Sequence, residues 1–263
     1  MTEPFVRELG SGPTVVCLHS SASSSAQWRS LAERLSGRFR VLAVDLHGCG
    51  RTPAWAKPRP LRLDDEVELL VPVWRSAGAR FHIVGHSYGG AVAMKAALAH
   101  AGRVASVAVY EPVMFGLLTG QEPGSAATRE IEAVRNETMA LVAANDLDSA
   151  ACCFGSYWLG RDAWNAMPRV RKELMAAAMP SVMPQWQAAF SDSSSLQMLG
   201  ALSMPVLLLS GSESTLAARA VTQWIGSALP HASVHVFPHC AHMAPLTLPE
   251  RINPVIMQFL TEL

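Results

Sequence analysis

Six short runs of β-branched and apolar residues recur along the chain, each bounded by turn-forming residues, at 14–19, 40–46, 81–85, 104–110, 205–210 and 233–237. Runs without polar alternation fit strands covered on both faces, as in a parallel sheet. Helical patterns lie between them at 28–35, 64–77, 88–100 and 217–228. This alternation predicts an α/β fold with a doubly wound, mostly parallel sheet.

One stretch breaks the alternation. From about residue 113 to 198 there is no strand pattern, only Ala-, Met- and Trp-rich helical segments punctuated by Pro168, Pro180 and Pro184. Structureless loops longer than ~15 residues are uncommon in compact domains. The stretch is therefore read as a helical cap, residues 113–198, inserted into a core made of residues 1–112 and 199–263.

Composition changes this picture only at its edges. A length of 263 residues suits one α/β domain carrying an insertion, and 50% hydrophobic content against 16% charged supplies a large core. Lys and Arg number 21 and so do Asp and Glu, leaving no basic excess for a nucleic-acid backbone. No apolar stretch approaches the ~20 residues of a membrane span, and no signal-peptide pattern opens the chain. The five cysteines show no metal spacing, and the adjacent pair Cys152–Cys153 is poorly placed for a mutual bridge. A cytoplasmic protein with reduced thiols is expected, acting on a small molecule as a monomer or weak homodimer, with no nucleic-acid or membrane partner.

The strongest chemical signal is Gly85-His86-Ser87-Tyr88-Gly89-Gly90, lying between a strand pattern and an Ala-rich helix. A strand that turns sharply into a helix strains the central serine and leaves no room for side chains two residues away on either side. Ser87 is thereby presented at a helix N-terminus, where the dipole and free N–H groups favour developing negative charge.

With this elbow the chain resembles the α/β-hydrolase superfamily, over nearly the whole sheet portion and least in the cap. The resemblance maps the family's oxyanion-hole donors to the backbone N–H groups of Ser21, in His19-Ser20-Ser21, and of Tyr88. Ser20 stands where glycine is usual. The segment from Asp45 to Thr52 resembles the family's glycine-rich structural loop, and Asp45 and His47 are read as structural. His239-Cys240-Ala241-His242, followed by Pro249-Glu250, resembles the family's histidine segment and marks His242 as general base. An imidazole suits that task because it takes and returns a proton near neutrality. His82, His86 and His239 are weaker candidates.

The acid is the open member. Most of the family carries aspartate where this chain has Ser214, in Gly211-Ser212-Glu213-Ser214. Two carboxylates can replace it. Glu213 is one residue away and needs a shifted loop. Glu111, before Pro112, ends the strand after the nucleophile helix, where some superfamily branches place their acid; it is preferred.

These residues predict a serine hydrolase that needs no metal and no organic cofactor and works by two-step acyl transfer. Phe115, Phe154, Tyr157, Trp158, Trp164 and Trp186 in the cap suggest an apolar pocket, although aromatics also serve simply to hold a cap in place. A small carboxylic ester is the expected substrate. Lactone or carbon–carbon bond hydrolysis on the same triad, or ligand binding on a non-catalytic scaffold, are the alternatives.

Overall fold

The computed structural model describes residues 2–262. Seven strands, β1 (Val6–Leu9), β2 (Thr14–Leu18), β3 (Arg40–Val44), β4 (Phe81–His86), β5 (Val104–Tyr110), β6 (Val206–Gly211) and β7 (Ala232–Phe237), form one sheet in the order β1-β3-β2-β4-β5-β6-β7. All pairings are parallel except β1 with β3.

The core helices are α1 (Arg29–Leu35), α2 (Leu63–Leu69), α3 (Val71–Ser76) and α4 (Tyr88–Ala99). Then come α5 (Phe115–Gln121), α6 (Ala126–Ala143), α7 (Leu147–Leu159), α8 (Arg161–Ala166), α9 (Arg169–Ser191) and α10 (Leu196–Gly200), in the stretch between β5 and β6. The chain closes with α11 (Leu216–Ala228), α12 (Ala244–Thr247) and α13 (Pro249–Thr261).

Alternate strand residues feed two separate cores, because successive side chains leave opposite faces of a strand. Val16, Leu18, Ile83, Val107, Val109 and Leu208 pack with α2, α4, α11 and the inserted helices. Val15, Cys17, Val84, Ala108, Leu207 and Leu209 pack against Leu31 and Leu35 of α1 and Ile252, Ile256 and Leu260 of α13. The central strands are mostly apolar because both faces are covered. Each fully buried Leu or Ile contributes roughly 1.5–3 kcal/mol of transfer free energy.

Four local features depart from the sequence expectations. β1 carries no apolar run, since only its first residue is even partly buried. β7 is an edge strand with Val234 and Val236 each 54% exposed, not covered on both faces. The helix expected over 64–77 divides at Leu70, because Pro72 can neither donate to the Glu68 carbonyl nor clear it sterically. Conversely, α9 runs unbroken through Pro180 and Pro184. An interior proline costs ~3 kcal/mol. Burial of Met179, Val182, Trp186, Ala188 and Ala189 along this helix offsets that cost.

Candidate active site

Ser87 follows β4 directly and adopts φ 54° and ψ −118°, a left-handed backbone that costs a non-glycine residue of order 1–3 kcal/mol. The fold imposes the conformation. Ser87 N–H donates to the Tyr110 carbonyl (2.9 Å), while its own carbonyl accepts from Ala91 N–H (3.0 Å) and Val113 N–H (3.2 Å). The flanking glycines are required by contact. A Cβ at Gly85 would lie 2.6 Å from the Gly89 carbonyl oxygen, and one at Gly89 would strike the carbonyls of Leu18 and His19.

His242 lies in the loop between β7 and α12. Its Nε2 accepts from Ser87 Oγ–H at 2.8 Å, and its Nδ1–H donates to Glu111 Oε2 at 2.6 Å. A carboxylate at Nδ1 fixes the tautomer that leaves Nε2 free to take the serine proton.

Glu111 ends β5, again with a left-handed backbone (φ 45°), and is fully buried. Four donors surround its carboxylate: Ser210 Oγ–H (2.9 Å) and Gly211 N–H (2.8 Å) on Oε1, and Ser214 Oγ–H (2.6 Å) and His242 on Oε2. A buried carboxylate needs such donors to hold its charge. The other candidate, Glu213, is exposed and accepts from His239 Nδ1 on the surface at 3.0 Å. The structure thus brings Ser87, His242 and Glu111 together and leaves Glu213 outside.

Tyr88 opens α4, and the first N–H groups of a helix lack intrahelical acceptors. Ser21 lines the same cavity as Ser87. Its peptide is oriented from behind: His19 Nε2 accepts from Leu46 N–H (3.0 Å), so His19 Nδ1–H donates to the Ser20 carbonyl (2.7 Å). In a planar trans peptide this turns the Ser21 N–H the opposite way.

Among the described residues, the remaining sequence candidates make no side-chain hydrogen bond to Ser87. Asp45 accepts from Ser25 N–H (2.6 Å) and Arg51 N–H (2.8 Å) and ties two loops together. Burial lowers the pKa of His47, which packs edge-on against Trp55. His82 contacts Ser106, and His86 Nε2 meets the backbone carbonyl of His242 rather than the nucleophile.

Two contributors are not singled out by the sequence, although Trp158 is among the cap aromatics it offers for a pocket. Trp158 of α7 lies over the His242 ring with centroids 4.0 Å apart, and a heptad-scale pattern cannot single it out among the aromatics of that stretch. Glu66 of α2 is buried beneath Tyr88, accepting from the Tyr88 hydroxyl (3.0 Å) and His47 N–H (3.2 Å). Burial pushes its carboxyl up to about 7.

Above Ser87 and His242 opens a cavity of about 480 Å³, lined mainly by Phe154, Trp158, Met167, Leu174, Met175 and Trp186, with Arg171 at its edge. A larger cavity of about 770 Å³, beside His47, Trp55, Lys57 and Arg75, contains neither of these two residues; the chemistry goes with the smaller one. Among the described residues, no group of three or more His, Cys, Asp or Glu side chains is arranged to hold a metal ion. No helix among them is long and apolar enough to cross a membrane.

The chain is similar to known proteins along most of its length. The chain is 26% identical over 262 residues to a pimeloyl-[acyl-carrier protein] methyl ester esterase of Nitrosomonas europaea, covering 95% of this chain and 97% of that protein. An enol-lactonase from Burkholderia xenovorans LB400 superposes with a TM-score of 0.79 at 19% identity, covering 99% of this chain and 97% of the other. A thermophilic esterase from Thermogutta terrifontis does so with a TM-score of 0.74 at 21% identity, covering 98% and 93%. At these identities the structural likeness bears on the fold alone. A family model spans residues 15–255, from within β2 into α13 and across the whole site, and by that match the chain belongs to the alpha/beta hydrolase family.

Proposed function

We propose that this hydrolase cleaves small, mostly apolar carboxylic esters through an acyl-enzyme on Ser87. The observation that carries the reading is the unbroken run Glu111–His242–Ser87, with hydrogen bonds of 2.6 and 2.8 Å, ending beneath an apolar cavity.

In this reading His242 Nε2 takes the Ser87 proton as Oγ attacks the ester carbonyl. The resulting oxyanion is held by the N–H groups of Ser21 and Tyr88. Removing one such donor typically costs ~2.7–4 kcal/mol of transition-state stabilisation. Glu111 stabilises the imidazolium that forms, and His242 then returns the proton to the leaving alkoxide. Water, deprotonated by the same nitrogen, attacks the acyl-enzyme and releases the carboxylic acid.

The cavity volume falls within the ~300–1,000 Å³ usual for small-molecule sites, and its lining favours an apolar group on one side of the ester. The relatives named as methyl ester esterases support an ester as the scissile group. A purely ligand-binding role gives no reason for a buried carboxylate with four donors to orient a histidine onto a serine.

The test is hydrolysis of short- to medium-chain aryl esters by the wild type and Ser87→Ala, together with labelling by a fluorophosphonate. Turnover and labelling that both disappear in the variant support the mechanism. Turnover that survives in Ser87→Ala would overturn it.

A further inference from the structure

A second hydrogen-bonded chain runs behind the site. Ser20 donates both its N–H (3.0 Å) and its hydroxyl (3.1 Å) to Gln27 Oε1. Gln27 Nε2 lies 3.1 Å from His86 Nδ1, and His86 Nε2 lies 2.8 Å from the carbonyl oxygen of His242. His86 is fully buried and Ser20 nearly so.

The polarity of the chain is dictated by its two ends, because both are backbone groups with a single role. The Ser20 N–H can only donate, so the oxygen of the Gln27 amide must face it and the NH₂ must face His86. The His242 carbonyl can only accept, so His86 must carry its proton on Nε2 and present a bare Nδ1. The middle link, NH₂ to bare nitrogen, then fits without a flip or an added proton. Burial lowers the pKa of His86 well below the ordinary histidine value, in keeping with this neutral tautomer.

We infer that Gln27 and His86 are positioning residues that fix the Ser20–Ser21 loop to the backbone of His242, setting the oxyanion donor and the general base relative to one another. This inference rests on the proposed role of the Ser21 N–H. The loop needs such a tie. It passes from Ser20 into Ala22, whose φ of 53° is unfavourable for a residue with a Cβ. With serine at position 20, a hydroxyl is available to strengthen the link to Gln27. His19 holds the Ser20 carbonyl from one side and Gln27 holds the Ser20 N–H from the other, so the Ser21 N–H has little freedom to turn.

The test is Gln27→Met, which keeps the side-chain length and removes both hydrogen-bonding atoms. Steady-state hydrolysis of an aryl ester is measured beside inhibition by phenylboronic acid, whose tetrahedral adduct on Ser87 places an oxygen where the oxyanion would sit. Benzoate serves as the planar comparison. A donor misplaced rather than deleted should lower kcat by about ten- to a hundredfold, less than or equal to the loss on removing a donor outright. KM and benzoate inhibition should stay near wild type, while boronate inhibition weakens by the same factor as kcat. A merely structural role would not separate the two inhibitors. Ser20→Ala, which leaves the backbone link intact, should shift boronate affinity in the same direction by less and serves if Gln27→Met does not fold. Unchanged boronate inhibition in the folded variants overturns the inference. Loss of activity in Ser87→Ala alongside normal Gln27→Met overturns the positioning role alone, whereas survival of activity in Ser87→Ala overturns the mechanism beneath it.

Discussion

Ser214 Oγ–H donates to Glu111 Oε2 at 2.6 Å, the same carboxylate oxygen that accepts from His242 Nδ1–H. Ser214, which the resemblance matched to the family's acid position, thus reaches the carboxylate that orients His242, as a donor to it. The carboxylate comes from the residue after β5, and Ser214, in the loop after β6, is part of its support.

Glu111→Gln should lower kcat by about 10⁴-fold, the scale seen when a triad acid becomes an amide and the histidine tautomer is lost. Glu213→Gln should leave kcat close to wild type. Steady-state kinetics on one aryl ester decides between them, and a large effect confined to Glu213→Gln would reverse the assignment.

Ser214→Asp introduced into Glu111→Ala should recover part of the lost turnover, because residue 214 reaches the same point in space. Ser214→Asp alone should be harmful, since two carboxylates in contact cannot both ionise freely. The comparison needs only kcat for the single and double variants. No recovery in the double variant would show that the β5 position is required for geometry as well as charge.

Trp158→Leu should reduce kcat and also lower thermal stability, since the ring is buried among Phe115, Phe154 and Tyr157. The indole covers His242 at 4.0 Å and can stabilise the imidazolium formed during turnover. A desolvated cation–π contact is worth roughly 2 kcal/mol, more than a tenfold rate effect. Trp158→Phe should retain part of it, and equal losses in both variants would point to packing instead.

Glu66 makes a prediction about pH. Its folded pKa, about 7, lies above the ordinary 4.5, so the folded state binds more protons than the unfolded state between those values. Its contribution is thus most favourable below the lower value and is lost as pH rises through the upper one, by roughly 3 kcal/mol in total. Buried neutral His19 and His86 act with the opposite sign, losing stability as pH falls. Urea unfolding of wild type and Glu66→Gln between about pH 5 and pH 8 isolates the carboxylate. The wild type should lose more stability than the variant on going to the higher pH, and parallel curves would contradict this.

The strands that carry the site were legible because β2, β4, β5 and β6 are buried on both faces and read as apolar runs. β1 was not, since an exposed edge strand leaves almost no hydrophobic imprint. Pro180 and Pro184 read as helix breaks because propensity is local, whereas α9 is held by packing along its whole length. The elbow is readable since its glycines stand at fixed spacing about the serine, although the contacts that require Gly89 come from Leu18 and His19, far earlier in the chain. Glu111 could be suggested from chain order, but its four donors come from residues about a hundred positions away or more. The Gln27–His86 link spans 59 residues and joins types found in any loop, so no spacing announces it.

The cavity reaches the surface beside Val170, Leu174 and Leu246, which are 63%, 69% and 38% exposed. This exposed apolar rim gives an acyl tail somewhere to lie beyond the cavity. Rates across a homologous series of acyl chains should therefore taper smoothly instead of stopping at one length, with longer tails lying along the rim of α9. Such a profile would place selectivity at the scissile carbonyl, with the far end of the substrate largely unread.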